Sequence, residues 1–229
     1  MPTWAEGPLA PPPHDQDHDP ELTPELLLRA YAMGIFPMAD GRDDPRVFWV
    51  DPDMRGVLPL DGFRLSRSLR KRIRQTPFRI SLDEDFAGVV QGCSDRDETW
   101  INETIFDLYR ALHRMGFAHS FEVWDGDALV GGTYGVSLGR AFFGESMFSR
   151  RRDASKIALA HAVAHLSGCG FTLFDTQFLT DHLASLGGVE IPRDQYHDLL
   201  EQALQGAADI HARPLPDAQS VVQFNTHTS

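Results

Sequence analysis

The chain has 229 residues, a net charge of −12 at neutral pH and 42% hydrophobic residues. This length and composition suit a globular protein with one main domain and an ordinary core. The negative charge argues against a protein that coats nucleic acid non-specifically. No apolar run reaches the roughly 18–20 residues of a membrane span, and the N-terminus lacks a signal-peptide pattern, so we expect a cytoplasmic protein. The two cysteines, Cys93 and Cys169, lack metal-type spacing and suit free thiols there.

Positive charge is concentrated in one segment. Residues 63–79 hold a third of the 21 lysines and arginines and no acidic residue. An acidic protein with this local concentration favours contact with a polyanion at one place. A solvated helix face is the open alternative.

The first part of the chain is predicted to be a tail followed by a small helix-and-strand unit. Residues 1–19 are rich in proline, aspartate and histidine, and we expect a flexible tail. Thr23 and Pro24 are typical of a helix start, and Gly34 is typical of a helix end. An apolar loop and a short strand at residues 47–50 complete a predicted small N-terminal domain over residues 20–60.

The second part, residues 61–206, is predicted to be the main domain. Its expected helices cover residues 65–74, 83–93, 103–115, 154–166, 180–186 and 193–205. Its expected strands cover residues 78–82, 119–124, 129–137, 141–148 and 171–178. Asp153 is the expected N-cap of the helix at 154–166. Residues 207–229 are predicted to be a C-terminal tail.

The order of these strands predicts a topology. Three consecutive strands, with a D-G-D turn between the first two, indicate an antiparallel meander. A helix then separates the third strand from the last one, and a crossover of that length implies a parallel pair. This α+β order with a mixed sheet matches the N-acetyltransferase-like fold. Topology alone says little about function.

A carboxylate and an amide stand two residues apart in the last predicted strand. Period two places Leu173, Asp175 and Gln177 on one face. Such side chains are costly to bury without partners, and they are close enough for a shared ligand or a mutual hydrogen bond. The alternative is that they bond to an arginine or to backbone and only hold the sheet together.

A second carboxylate, Glu145, lies in an aromatic strand. Period two puts Phe143 and Met147 on its face, which favours a carboxylate at the rim of an apolar pocket, suited to an amino group. A salt bridge to a nearby arginine is equally open.

Three arginines, Arg150, Arg151 and Arg152, precede a predicted helix. The helix dipole disfavours cations at the N-terminal end of a helix, so the presence of three arginines there needs another explanation. Guanidinium groups beside free helix amides would bind phosphate, and simple surface charge is the alternative. The Gly-rich turns by which P-loop proteins and acyl-CoA acetyltransferases hold phosphates are missing from the sequence, which counts against acetyl-CoA as a donor.

Other polar residues give weaker signals. Ser146 lacks the second glycine of a nucleophile elbow, so we do not expect it to be a nucleophile. His161 and His165 are four residues apart but lack the glutamate of zincins, and we expect helix surface or core positions. A role for His182 at the site has no support beyond its position.

Several strings together resemble the leucyl/phenylalanyl-tRNA–protein transferase family. They follow the family's order from about residue 22 to residue 204, and G-E-S-M-F-S-R together with D-x-Q is highly specific. The strings are Y-A-M-G-I-F-P (31–37), S-R-S-L-R-K (66–71), E-T-W-I-N (98–102), H-S-F-E-V-W (119–124), L-V-G-G-T-Y-G-V (129–136), F-F-G-E-S-M-F-S-R (142–150), D-A-S-K (153–156), D-T-Q-F-L-T-D-H-L-A-S-L-G (175–187) and E-I-P-R (190–193).

The resemblance implies an activity. The family takes leucine, phenylalanine or, less well, methionine from an aminoacyl-tRNA and joins it to the α-amino group of proteins that begin with Arg or Lys. This marks those proteins as N-degrons for proteolysis. The resemblance further implies a small N-terminal domain on an acetyltransferase-like catalytic domain, with no metal or nucleotide cofactor. We expect a monomer that meets neither DNA nor a membrane.

The resemblance also assigns residues. Asp175 and Gln177 match the catalytic pair, in which Asp175 polarises Gln177 and the amide oxygen helps take a proton from the attacking amine. The pocket for the aminoacyl group would comprise Glu145, Phe142, Met147, Thr133 and Ser146. Trp100 and Met38 would lie near the terminal adenosine, where stacking is expected. The tRNA phosphates would meet Arg67, Arg70, Lys71, Arg72, Arg74, Arg150, Arg151, Arg152 and Lys156, without readout of sequence.

The sequence departs from the family pattern in places. Leu22-Thr23-Pro24 replaces the family's longer Gly-Gly-Asp-Leu-Ser-Pro, and Met38 replaces a tryptophan. Val50 replaces the second tryptophan of Trp-Trp-Ser-Pro, and Thr133 replaces a pocket methionine. These changes bear on donor preference and adenosine binding, not on the reaction. Two other functions stay open: an acyl-CoA N-acetyltransferase, from topology, and a non-catalytic adaptor for tRNA or N-degrons, which would give no reason for the D-x-Q pair.

Overall fold

The computed structural model describes residues 22–224 except residues 40, 43, 45, 97 and 98. The tail expected at residues 1–19 lies outside the described residues. The helices are α1 (Pro24–Ala32), α2 (Arg67–Gln75), α3 (Phe86–Ser94), α4 (Glu103–Arg114), α5 (Ala154–Gly168), α6 (Asp181–Ser185), α7 (Arg193–Leu204) and α8 (Ala218–Phe224). The strands are β1 (Phe36–Met38), β2 (Phe48–Val50), β3 (Met54–Val57), β4 (Arg79–Leu82), β5 (Ala118–Asp125), β6 (Ala128–Leu138), β7 (Ala141–Ser149), β8 (Leu173–Gln177) and β9 (Val189–Pro192).

One mixed sheet organises the chain. Within the described residues it has seven strands in the order β4-β5-β6-β7-β8-β3-β9, and β1 and β2 pair separately. Strands β5, β6 and β7 pair antiparallel in sequence, and β7 pairs parallel with β8 after the crossover through α5. The predicted meander, the parallel join and the mixed α and β class are therefore confirmed.

The N-terminal unit begins as predicted and then enters the main sheet. The Thr23 Oγ1 accepts the Leu26 N–H at 3.2 Å, which caps α1. Residues 36–38, expected as a loop, form β1 against β2. The sequence predicts no strand at Met54–Val57, yet β3 pairs there with both β8 and β9. The segment at residues 20–60 therefore contributes a strand to the large sheet.

Apolar side chains cover both faces of this sheet. On one face, α5 packs across β5, β6 and β7, and α2 and α8 pack beside it. On the other face, α3 packs on β6 and β7, with α1, α4 and α7 around it. Burial on both faces explains why β6 and β7 are apolar or glycine-rich over most of their length.

The prediction of a tail at residues 207–229 is wrong for the described part of that segment. Residues 218–224 form α8, and Ile210, Val221 and Val222 are buried against α5 and its neighbours. Two buried histidines of α5 fasten the segment: a ring nitrogen of His161 meets the Pro216 carbonyl at 3.1 Å, and one of His165 meets the Ile210 carbonyl at 2.6 Å. These contacts also place both histidines in the core.

The expected cap of α5 is likewise wrong. Asp153 has a φ of 65° and its side chain makes no capping hydrogen bond. The Ser155 N–H donates instead to the Ser149 Oγ at 3.2 Å, so the preceding strand supplies the cap.

Because Ile210 is 3% exposed, its removal should leave a cavity between α5 and the C-terminal segment. We expect Ile210→Ala to lower the free energy of unfolding by about 2–5 kcal/mol. Chemical denaturation measures this, with Leu199→Ala, an exposed position on α7, as the control with a change under about 0.5 kcal/mol. Equal effects of the two variants would mean that the segment is not packed as described.

Candidate functional site

The large sheet opens between β7 and β8. Their parallel pairing ends at Phe143 and Asp175, after which β7 continues beside β6 as far as Ser149 and β8 continues beside β3 as far as Gln177. The backbones that separate border a cavity of about 260 Å³. Two adjacent strands that diverge thus expose side chains and backbone groups that a continuous sheet would bury.

A β-bulge places Glu145 at this opening. Tyr134 of β6 pairs with Ser146, and the next residue, Gly135, pairs with Gly144, so Glu145 is the extra residue of β7. The bulge also exchanges the two faces of the strand beyond it. Phe143 packs among the residues under α3, whereas Met147 packs on the α5 side. The prediction that Phe143 and Met147 share a face is therefore wrong, because it assumed an uninterrupted period of two.

Two tyrosines hold the Glu145 carboxyl group. The Tyr31 hydroxyl lies 2.7 Å from Oε1 and the Tyr109 hydroxyl 2.8 Å from Oε2. The two hydroxyls are themselves 2.6 Å apart. Of the two alternatives for Glu145, the described part of the chain therefore shows the position at the rim of a pocket and not the arginine salt bridge. The partners of the carboxyl group are tyrosines.

The number of hydrogens in this ring of three groups favours a protonated carboxyl. Three short oxygen–oxygen contacts each need one hydrogen, and the Tyr31 and Tyr109 hydroxyls supply only two. A proton on Glu145 supplies the third. Burial raises the pKa of Glu145 to about 7, although the tyrosine hydrogen bonds oppose it. Near neutral pH the group therefore exchanges between its two protonation states.

Asp175 lies behind the cavity wall and not in it. It is fully buried, and Arg55 of β3 pairs with it through two hydrogen bonds of 2.9 and 2.6 Å. The Tyr196 hydroxyl donates to the same carboxylate at 2.8 Å. Burial lowers the pKa of Arg55, but the hydrogen bonds and charge of Asp175 outweigh that effect and raise it. The contact of Asp175 with an arginine, one of the alternatives considered from the sequence, is therefore present.

Gln177 lines the cavity and meets Glu145. Its side-chain Nε2 lies 3.4 Å from the Glu145 Oε1. The backbone N–H of Gln177 donates to the Asp175 Oδ1 at 2.8 Å. The contact between Asp175 and Gln177 thus runs through the Gln177 main chain, and the side-chain amide faces Glu145.

The cavity walls are mainly apolar and contain most of the predicted pocket residues. Trp100, Met38, Met147, Thr133 and Ser146 all line it, beside apolar residues that the sequence did not single out. These apolar residues are Phe36, Leu159, Phe174, Phe178 and Leu183. Such walls suit an uncharged aliphatic or aromatic group.

Phe142, predicted to be part of the pocket, does not line the cavity. Phe142 is fully buried and packs edge-on against Phe121, Phe171 and Phe174. Of these rings, Phe174 separates it from the cavity, because Phe174 lines the wall. Phe142 therefore supports the wall from behind.

Two polar atoms on the wall have no protein partner. The Thr176 Oγ1 and the His182 Nε2 are buried and make no hydrogen bond within the described part of the chain. Burial, and then the charge of Lys156, lowers the pKa of His182, so the ring is neutral at neutral pH. Buried polar atoms without partners are costly, and both atoms are placed to meet polar atoms of a ligand.

The basic residues form a separate surface beside α5. Leu69 and Ile73 anchor α2, Arg67, Lys71 and Arg74 are exposed, and Arg70 and Arg72 are half-buried beside them. Arg152 borders the same depression as Lys71 and Arg72. Arg150 and Arg151 are exposed and pair with Asp95 and Asp125 at 3.4 and 3.6 Å, and Lys156 lies 3.9 Å from Asp153. Exposed pairs of this kind are weak and leave the charges available to another anion.

One group among the described residues could offer three metal-ligating atoms. It consists of Asp83, His119 and His211, whose ligand atoms lie within 4.8 Å of one another. The His119 Nδ1 is only 2.7 Å from the Asp83 Oδ2, as in an ordinary hydrogen bond. None of the three lines the cavity.

Sequence reasoning missed five residues that build the site, Tyr31, Arg55, Arg96, Tyr109 and Tyr196. Arg96 lines the cavity and donates to the Ser146 Oγ at 3.0 Å. The other four hold Glu145 or Asp175 from distant segments. One signal was present: Arg55 is the only charged residue between Met54 and Leu60.

Family comparisons cover nearly all of the described chain. The family described as leucyl/phenylalanyl-tRNA protein transferase matches residues 57–201, and its N-terminal domain matches residues 20–53. A leucyl/phenylalanyl-tRNA–protein transferase of Cereibacter sphaeroides (strain ATCC 17025) is 64% identical over 212 residues, which is 92% of this chain and 99% of the relative. That of Ruegeria sp. (strain TM1040) is 64% identical over 208 residues, 91% and 99% of the two chains.

Solved structures are more distant. FemX is 13% identical, with a TM-score of 0.49 over 78% of this chain and 71% of that one. The L-PGS structure from Bacillus licheniformis is also 13% identical, with a TM-score of 0.39 over 70% and 55% of the two chains. Both scores are below 0.5, too low to assign the fold. No helix in the described part of the chain combines the length and apolar character that a bilayer crossing needs.

The raised pKa of Glu145 predicts a pH-dependent stability. Its pKa is about 7 when folded against an ordinary 4.5, so the folded state loses stability as the pH rises from about 4.5 through about 7. Glu145→Gln cannot titrate. We expect its melting temperature, relative to the wild type, to rise between about pH 5 and about pH 8.

Glu84→Gln is the matched control. Glu84 is exposed, and its hydrogen bond to Arg79 lowers its pKa, so Glu84 stays ionised across that pH range and its difference from the wild type should stay constant. Melting curves at several pH values measure both. A Glu145→Gln difference as flat as that of Glu84→Gln would show that Glu145 is ionised throughout.

Proposed function

The chain belongs to the leucyl/phenylalanyl-tRNA protein transferase family, and we propose that it transfers leucine or phenylalanine, and methionine less well, from aminoacyl-tRNA to the N-terminal α-amino group of proteins that begin with Arg or Lys. The observation that carries the proposal is the apolar cavity between β7 and β8, at whose edge the Glu145 carboxyl and the Gln177 amide meet. An uncharged side chain fits the walls, and the two polar groups are available to amino groups.

The reaction exchanges an ester for an amide. The amine nitrogen of the acceptor attacks the carbonyl carbon of the aminoacyl ester, an amide bond forms, and the bond to the tRNA ribose oxygen breaks. One proton leaves the amine and one reaches the ribose oxygen. An activated ester needs little acid assistance, so accurate placement and a weak base are sufficient.

Gln177 is proposed to be the group that meets the attacking amine. Its amide nitrogen is engaged with Glu145. The amide oxygen, an acceptor, is then the atom that can receive a hydrogen bond from the amine. Glu145, held by Tyr31 and Tyr109, is proposed to face the α-amino group of the donor aminoacyl residue, where a carboxyl with a pKa of about 7 can give or take a proton.

The tRNA is proposed to lie along the basic surface of α2 and residues 150–152. Helix α5 begins beside this surface, and its Leu159 lines the cavity, so one helix connects the two places. Phosphate contacts there would hold the acceptor end without reading sequence. Trp100 and Met38 on the cavity wall would contact the terminal adenosine.

Several finer expectations belong to the same proposal. They are an acetyltransferase-like catalytic domain with a small N-terminal domain, a cytoplasmic monomer, no metal or nucleotide cofactor, and products that act as N-degrons. The mixed sheet that opens at a parallel pair, with the site in the opening, supports the acetyltransferase-like catalytic domain.

The activity is tested by incubating the purified chain with leucyl-tRNA and a peptide that begins with Arg. We expect a product heavier by one leucyl residue in mass spectrometry, and an analogous product with phenylalanyl-tRNA. The same peptide with an acetylated N-terminus should give no product, since it lacks the attacking amine. Absence of product from the free peptide with both donors would overturn the proposal.

The tRNA surface is tested by charge reversal. Arg67→Glu combined with Lys71→Glu should raise the KM for leucyl-tRNA by about tenfold or more at low salt and weaken its salt dependence, because phosphate contacts are lost. Arg110→Glu, an exposed arginine on α4, is the control that should leave the KM unchanged. Similar effects at both places would mean that overall charge, not the α2 surface, determines tRNA affinity.

A further inference from the structure

Asp175 is close to the cavity but not part of its wall, whereas Gln177 lines it. Full burial keeps Asp175 away from any substrate atom in the cavity. Its influence on the reaction must therefore pass through the residues it contacts. One of those contacts is the main chain of Gln177.

The main chain at Gln177 is strained. Its φ of 57° is in the left-handed region, which side chains other than glycine rarely adopt. The Phe178 N–H returns to the Thr176 carbonyl at 2.6 Å, so the three residues form a tight turn centred on Gln177. Three-residue turns with positive φ are rare and persist only where the surroundings hold them.

Asp175 and Arg55 supply that support. The Asp175 Oδ1 accepts both the Gln177 N–H at 2.8 Å and the Arg55 Nε–H at 2.9 Å. Arg55 is itself held by the Gly34 carbonyl at 2.9 Å and by the rings of Phe36 and Tyr196, whose centroids lie 4.6 and 4.3 Å from its guanidinium carbon. A planar guanidinium held by two rings and a carbonyl gives the carboxylate one orientation.

The neighbouring residue of β3 presses on the same turn. A side chain at Gly56 would meet the Phe178 carbonyl carbon at 2.6 Å, so the β3 backbone packs directly against the turn. Arg55 thus holds the turn through the Asp175 carboxylate, and Gly56 holds it through direct backbone packing.

We propose that Arg55 is a positioning residue for the transfer reaction: it clamps Asp175, and Asp175 holds the strained turn that presents the Gln177 amide to the substrates. The inference rests on the proposed function, in which Gln177 meets the attacking amine. Arg55 touches no substrate and acts only through Gln177.

The test is Arg55→Lys, which keeps the charge but loses the two-pronged contact with Asp175. We expect kcat to fall by about 10- to 100-fold while the KM for leucyl-tRNA changes by less than about threefold, because the tRNA surface is untouched. Rates are expressed per site that binds leucyl-tRNA, so that unfolded protein is not counted. Arg193→Lys is the matched control, since Arg193 pairs with Asp51 and the exposed Asp53 and not with Asp175, and it should leave kcat unchanged.

A double-mutant cycle with Gln177→Ala distinguishes positioning from a general structural role. If Arg55 acts through the Gln177 amide, Arg55→Lys should reduce kcat in the wild type but by less than about twofold in the Gln177→Ala background. Should Arg55→Lys fail to bind tRNA, Tyr196→Phe takes its place. It removes one hydrogen bond to Asp175, and we expect a loss of about three- to tenfold with the same dependence on Gln177.

Equal losses in both backgrounds, or full activity of Arg55→Lys and Tyr196→Phe, would overturn the inference while the transferase proposal stands. Full activity of Gln177→Ala would also overturn it, since no amide would then need positioning. A wild-type chain that forms no leucyl-peptide would overturn the proposed function itself, and that outcome is distinct from the others.

Discussion

The buried ion pair of Arg55 and Asp175 connects the parts of the chain on which the site depends. It joins β3 to β8, reaches the Gly34 carbonyl after α1, and meets Tyr196 of α7. Two charges without water are tolerable only with complete pairing, and removing one partner of such a pair costs about 3–5 kcal/mol. The N-terminal helix, the sheet and the last long helix are therefore coupled through one contact, directly behind the cavity.

The site exists because this anchored part of the sheet stops pairing on one side. β8 remains attached to β3 where it leaves β7, so the gap opens without loosening either strand. The gap has apolar walls and a few polar groups with defined partners, Glu145 and Gln177 above all. In the proposed transfer, an ester that is already activated needs placement more than acid or base strength, and an apolar gap with a carboxyl whose pKa is about 7 suits that need.

Local patterns predicted the elements and the chemistry-bearing residues, but not the contacts between distant segments. Period two identified Asp175 and Gln177 on one strand, and helix spacing gave the crossover that sets the parallel pair. Arg55 and Tyr31 lie 120 and 114 residues from the carboxylates they hold, and no local pattern reports on such distances. Ile210 was missed because isolated apolar residues in a polar segment reveal their packing only when α5 is in place.

Because of the bulge at Glu145, β7 tolerates substitutions more readily than changes in its length. Residues on either side of the bulge follow opposite alternation, with Phe143 and Phe148 on one face of the sheet and Phe142 and Met147 on the other. A deletion of one residue there would return the strand to regular alternation and turn Met147 and Phe148 to the wrong faces. Homologous chains can therefore exchange side chains along this strand more readily than they can gain or lose a residue in it.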